Sequence, residues 1–326
     1  MSEKTIKVLE EGIGKLIQPF DLDEFRAHNR AKDKALTDKL MTEAAAVDRY
    51  LDEGDYIGVE LYGTVRCPMT LVREIIRRGY KNLRSVGQGV YETDMMLGAG
   101  CLTELDWTYI GLEVYGVSAN ARRAVESGYV KQVTEWSNAA LAWRFKAGAM
   151  GIPFIPTRSM LGSDTLKYSA SKVIECPFTG EPICLIPALV LDTGFIHVNR
   201  ADKYGNCQID GINGFASEMA GACKKLIVSA EEIVETDVIR KNPDKTVIPY
   251  YQVDAVVHAP FGSHPGEMSG AYERDEEHIK SYFTESKDPE KTQAYLKKWV
   301  YDIKTHDEYL DLIGRDHLES LRIKED

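Results

Sequence analysis

Residues 54–68 read Gly54-Asp55-Tyr56-Ile57-Gly58-Val59-Glu60-Leu61-Tyr62-Gly63-Thr64-Val65-Arg66-Cys67-Pro68. Gly54-Asp55 ends a helix predicted over 47–53, because glycine accepts the left-handed backbone that stops helices. The run 56–61 has the short apolar content of a buried strand, and Gly63 opens the loop after it. Pro68 stands at the first position of the next helix, where a missing N–H costs no hydrogen bond. Apolar residues at helical spacing then fill 69–78, and Gly79 ends them. A helix, a strand, a loop and a second helix thus follow one another within about thirty residues, the length of one β/α layer unit.

Outward from this unit the pattern repeats with variations. A strand over 83–86 runs into Gly87-Gln88-Gly89, a further strand is predicted over 107–112, and 152–156 reads as a short extended segment. Helices are predicted over 119–127 and 138–150, and apolar runs follow at 185–191, 194–198, 225–229 and 253–258. Short apolar runs bounded by glycine and separated by helices of ten to thirteen residues imply an α/β fold. Its sheet should be buried, mostly parallel and flanked by helices. The stretch 276–313 reads as charged amphipathic helix. Residues 1–46 are charged and broken by Pro19, and they read as an arm with helical pieces. Residues 47–326 carry no internal linker and are taken as one domain.

The 326 residues are 44% apolar and 28% charged, with a net charge of −11, which disfavours a nucleic-acid groove because phosphate binding needs clustered Lys and Arg. No run of about 18 apolar residues suggests a membrane span. Met1-Ser2-Glu3-Lys4 does not begin a signal peptide. Cys67, Cys101, Cys176, Cys184, Cys207 and Cys223 are dispersed without a CxxC pair, so reduced thiols, no metal and a cytoplasmic location are expected.

Chemistry is expected at the strand ends. Gly58 and Gly63, Gly87 and Gly89, and Gly98 and Gly100 follow predicted strands, where backbone N–H groups can face an anion or simply make a turn. Neither a dinucleotide fingerprint nor a phosphate loop is present. Glu113 and Glu135 each follow a strand-like segment and precede a helix, so each is either a base or nucleophile or a helix-start charge. Ser137-Asn138 has the chemistry of an N-cap for the 138–150 helix. Arg158 precedes a polar loop, Ser159 to Asp164, able to hold a carboxylate or thioester carbonyl. His197 and His258 read as core histidines, whereas His264, in a Pro-bounded turn, reads as a contact residue.

Several stretches together resemble the α (A) subunit of class I coenzyme A transferases, of the glutaconate CoA-transferase type. They are Gly54 to Ile57, Gly63 to Pro68, Ala147 to Pro156, Leu161 to Asp164, Val253 to Pro265 and Trp299 to Tyr309. The resemblance implies an α/β chain that builds an active site with a β chain of similar fold. Coenzyme A is then a substrate, exchanged between an acyl-CoA and a carboxylic acid through a glutamyl-CoA thioester on the β chain. This chain would supply substrate and oxyanion loops at Tyr62, Gly63, Thr64 and Arg66, at Gly87, Gln88 and Gly89, and at Gly162, Ser163 and Asp164.

One departure concerns the first of these loops. Glu60-Leu61-Tyr62 stands where relatives carry Gly-Gly-Phe. Alternation places Glu60 and Tyr62 on one face, lining either the acyl pocket or the subunit interface, with Arg66 the nearest cation in sequence. A branch of the same fold opens rings on steroid-derived CoA thioesters with a Glu of its own α chain. Glu135 is the nearest match to that Glu, and Asn138 stands where that branch has an acid.

Overall fold

The computed structural model describes residues 6–324. Among them the strands are, in chain order, β1 (Val8–Glu11), β2 (Tyr56–Val59), β3 (Leu83–Gly89), β4 (Leu102–Ile110), β5 (Gln132–Glu135), β6 (Phe154–Thr157) and β7 (Lys172–Glu175). They continue with β8 (Pro182–Pro187), β9 (Leu191–Ala201), β10 (Cys207–Gln208), β11 (Cys223–Ile233), β12 (Thr246–Ile248) and β13 (Ala255–His258). Seven strands, in spatial order β13-β11-β9-β2-β3-β4-β5, pair parallel throughout. Short β10 and β12 extend the sheet antiparallel from the end of β9.

Helices cover both faces, as a parallel sheet requires. Glu43–Tyr50, Met69–Arg78, Tyr91–Gly98, Glu276–Glu285 and Pro289–Leu296 share one apolar cluster, while Asn138–Met150 and Ala216–Gly221 pack on the other face. The expected mostly parallel α/β sheet is therefore present. A second sheet, β1-β7-β8-β6, is antiparallel and was not expected from the sequence. Its strand β8 buries only alternate residues, Cys184 and Ile186, as a sheet with one solvated face does. The apolar run 185–191 hid this because it spans two strands of different sheets.

Two boundaries moved for identifiable reasons. The helix predicted over 47–53 is Glu43–Tyr50, because the Thr42 hydroxyl accepts from Ala45 N (3.2 Å) and starts it early. Strand β4 begins at Leu102 rather than 107. Its polar Asp106 is buried against Arg144 Nη1 (2.9 Å) and Trp136 Nε1 (2.7 Å), so polarity there did not mean exposure.

Arm residues lie on the rest of the chain. β1 pairs with β7, Ile17 and Phe25 are buried, and Leu40 bridges Val256.

Candidate functional site

Strand order reverses at β2: β3 follows on one side and β9 lies on the other. In open α/β sheets such a switch point leaves a crevice at the carboxyl ends of the strands. β2 stops at Val59 while β9 runs on to Ala201, and Glu60 N still donates to Phe195 O (3.0 Å) before the chain leaves the sheet. It turns back at once, with Tyr62 N donating to Val65 O (3.2 Å) and Val65 N to Tyr62 O (3.0 Å).

The turn separates the two residues that alternation placed together. Tyr62 is 49% exposed, whereas Glu60 is fully buried in a bidentate pair with Arg66 (2.7 and 3.0 Å). Arg66 also donates to Ile212 O (3.1 Å) and His197 O (3.3 Å). Gly214 closes over the pair, since a Cβ there would lie 2.6 Å from Glu60 Oε1. Glu60 is thus paired with the cation expected from sequence and is sealed beneath the segment 209–215.

Two other carboxylates flank the turn. Gly63 has φ +62°, and a Cβ on it would stand 3.3 Å from Glu113 Oε1. Glu113 follows β4, is half-buried and itself adopts φ 51°, a conformation that L-residues hold only when their surroundings enforce it. On the other side, Glu267 bridges Val65, and its carbonyl accepts from Arg66 N (3.1 Å). Its Oε2 is shielded from solvent and has no hydrogen-bond partner. Val114, 82% exposed, and half-exposed Tyr62 and Tyr109 give the rim an apolar character.

At the end of β3, Gly87 and Gln88 are half-buried and Gly89 is buried. These residues belong to the strand itself rather than to a loop beyond it. The Tyr91–Gly98 helix starts here, and the Glu92 carboxylate folds back onto Val90 N (2.9 and 3.2 Å) and Thr93 Oγ1 (2.7 Å). Burial pushes its pKa up to about 7, against the pull of these donors. The helix N-terminus that an external anion would use is therefore occupied by the chain's own side chain.

The remaining sequence-predicted residues lie elsewhere. Glu135 is exposed on edge strand β5, Ser137 caps the Asn138–Met150 helix by accepting from Ala140 N (3.1 Å), and Asn138 is exposed. Arg158, Gly162 and Ser163 are exposed in the loop after β6, and exposed Asp164 opens the short helix Asp164–Tyr168 that Ser163 caps; Met160 of this loop shares an apolar cluster with Trp136 after β5. Thr64 is buried in the turn.

His197 is a core residue as read, 2.8 Å from Ser229 Oγ and 2.7 Å from Glu231 Oε1. These are hydrolase-triad spacings, but Ser229 is fully buried in mid-strand, where no carbonyl can reach it. Glu231 instead fixes the loop after β13 through Phe261 N (2.6 Å), Gly262 N (3.1 Å) and Tyr272 OH (2.6 Å). His258 is exposed rather than core. His264, read as a contact residue, is fully buried between Tyr309 OH (2.6 Å) and Asp275 Oδ2 (3.2 Å), and burial lowers its pKa. It pins the fold. Glu92, Glu231 and Glu267 escaped the sequence reading.

Among the described residues no cluster of three His, Cys, Asp or Glu side chains is placed to hold a metal ion, and no helix is long and apolar enough to cross a membrane. The family model for coenzyme A transferase matches residues 40–259. The chain is 36% identical over 277 residues to the α (A) subunit of the 3-oxoadipate CoA-transferase of Pseudomonas knackmussii, covering 83% of this chain and 96% of the relative. The solved structure of glutaconate coenzyme A-transferase from Acidaminococcus fermentans superposes with a TM-score of 0.84 at 32% identity, covering 88% of this chain and 96% of that one. A cholesterol ring-cleaving hydrolase subunit of Rhodococcus jostii is 28% identical over 264 residues, 77% of this chain and 88% of the relative.

Proposed function

The chain belongs to the coenzyme A transferase family, and we propose that within it the chain is the α (A) subunit of a two-chain CoA-transferase. The observation that supports this most is the superposition on glutaconate CoA-transferase over 88% of this chain and 96% of that one. In this reading a Glu of the β partner attacks the thioester carbonyl of an acyl-CoA. The C–S bond breaks, CoA leaves as thiolate, and a mixed anhydride forms. The thiolate then attacks the glutamyl carbonyl, releasing the first acid and leaving glutamyl-CoA. A second carboxylate reverses the sequence and leaves as the new acyl-CoA, so the acyl group stays activated without ATP. Gly63 and Thr64, at the tip of the turn, and the Gly87-Gln88-Gly89 strand end supply backbone N–H groups toward the developing oxyanion. Arg66 holds the turn, and the 158–164 loop closes the edge of the site. Residues 47–326 form the catalytic unit and the first 46 an arm on it. Six free cysteines fit a reducing cytoplasm.

The test is reconstitution. The isolated chain is expected to show no CoA transfer, and mixing with its β partner should restore it. Hydroxylamine or borohydride trapping of the complex with acyl-CoA, followed by mass spectrometry, should label a Glu of the partner. Full turnover by the isolated chain would remove the two-chain reading.

A second reading, a subunit of a ring-opening CoA-thioester hydrolase, is favoured by Glu113 alone. In that reading the chain's own carboxylate is Glu113, beside Gly63, rather than exposed Glu135.

A further inference from the structure

Glu231 stands where β11 outruns β13, one residue past their last paired position. Its side chain is only 10% exposed, yet its carboxylate meets four groups. Phe261 N lies 2.6 Å from Oε2, while Gly262 N (3.1 Å), Tyr272 OH (2.6 Å) and His197 Nε2 (2.7 Å) converge on Oε1. Three of the four belong to the segment 261–272. Phe261 holds φ 53°, a conformation that a bulky residue keeps only under constraint, and the bond from its N–H to Glu231 is such a constraint.

The same segment backs the Tyr62–Val65 turn. Gly266 lies so close to Thr64 O and Tyr91 OH that a Cβ on it would overlap both. Glu267 bridges Val65, and its carbonyl accepts from Arg66 N (3.1 Å). A second line runs through His197, whose carbonyl accepts from Arg66 Nη1 (3.3 Å). At the tip of the turn, by contrast, the N–H groups of Gly63 and Thr64 find neither a backbone nor a side-chain acceptor among the described residues. Resting on the CoA-transferase reading above, we propose that Glu231 is a positioning residue. It holds 261–267 against the turn and so fixes the direction in which the Gly63 and Thr64 N–H groups meet the developing oxyanion.

Donors of this kind act through distance and direction, and a misplacement of about 1 Å costs roughly 100-fold in rate. The two bonds between Tyr62 and Val65 close the turn but leave its angle to the sheet open, so contacts from outside must set it. A carboxylate suits the task because both of its oxygens only accept. A glutamine in its place has one acceptor oxygen and an NH2, so at least one N–H or O–H of the loop or of His197 would face another donor.

The experiment uses the chain co-purified with its β partner, with butyryl-CoA as donor and acetate as acceptor, together with hydrogen exchange read by mass spectrometry. The amides of Tyr62, Val65 and Arg66 are bonded at the turn and report how firmly it is held. In Glu231→Gln they should exchange at least about 10-fold faster, while the amides of β3 keep their rates. kcat should fall at least about 10-fold with KM within about 3-fold, the pattern of an interaction made only in the transition state. Tyr272→Phe removes one donor to Glu231 and keeps its ring on Phe261, 4.7 Å between centroids. It should shift both quantities the same way by less, and it carries the test if Glu231→Gln does not assemble. Asp254→Asn is the stability control, at the opposite end of β13, where Asp254 holds Lys32 Nζ (2.6 Å) and Leu226 N (2.7 Å), and it should alter neither quantity. Unchanged exchange at the turn, an unchanged kcat, or equal losses in the control would overturn the proposal. If the native complex transfers no CoA but the exchange effect persists, the transferase reading fails and the hold of Glu231 on the turn stands.

Discussion

Replacing Glu60 by Ala removes one half of a fully buried ion pair. Arg66 would keep only two carbonyl acceptors, Ile212 O and His197 O, for a charge with no route to water. Breaking a buried pair from one side costs roughly 3–5 kcal/mol, because the remaining charge is uncompensated. At roughly 2–4 °C per kcal/mol for a chain of this order, the melting temperature should fall by about 6–20 °C. The double variant Glu60→Leu/Arg66→Met removes both charges and should recover at least about 2 kcal/mol of that loss, since apolar replacement of a whole buried pair is often neutral. Urea unfolding followed by circular dichroism measures both variants, at low and at high salt, and the loss in Glu60→Ala should persist at high salt because the pair is shielded from counterions. A single variant that loses less than about 1 kcal/mol, or a double variant as unstable as the single, would refute charge compensation as the role of the pair. Glu60→Gly, which would mainly alter acyl choice if Glu60 lined the pocket, is expected to destabilise the chain in the same way.

The pKa of Glu92, raised to about 7 from 4.5, means that the folded chain retains a proton the unfolded chain has released between those values. Stability from this group is therefore highest below about pH 4.5 and falls as pH rises through about 7, by about 3 kcal/mol. Glu92→Gln should flatten that part of the fall, and urea midpoints at pH 5 and 8 test it; an identical pH slope in both proteins would count against a neutral Glu92. Glu113→Gln separates the two functional readings: thioester hydrolysis should drop by about 10²–10⁴ if this carboxylate does the chemistry. Transfer should drop less than about 10-fold, with the label still on the partner, if it only shapes the turn.

Much of the parallel sheet was legible because buried parallel strands are short apolar runs that glycine interrupts. The second sheet was not, because its strands hide only alternate residues and Pro187 lies inside one apolar run that serves two sheets. Asp106 concealed the start of β4 for a related reason: a buried ion partner, Arg144, makes a polar residue compatible with a core strand. At the site, the sequence located the turn around Gly63 and paired Glu60 with Arg66. It missed that the strand ends at Val59, so that alternation no longer governs where Glu60 and Tyr62 point. Glu267 and Glu92 were illegible because their interest lies in burial and unmet or folded-back hydrogen bonds, which residue type and spacing do not encode.

The seat of β2 at the centre of the sheet sets a problem of timing during synthesis. Strands β2 to β5 emerge within residues 56–135 and can assemble locally, but the other edge of β2 waits for β9, which begins at Leu191. About 130 residues must be added in between, taking roughly 7–26 s at ~5–20 residues per second. Through that interval the nascent chain presents an unpaired, apolar strand edge, the surface most prone to join another chain. A ribosome that stalls, or a message truncated before residue 201, yields a half-sheet with a permanently uncovered edge, so chaperone supply and translation rate should govern how much soluble protein a cell obtains.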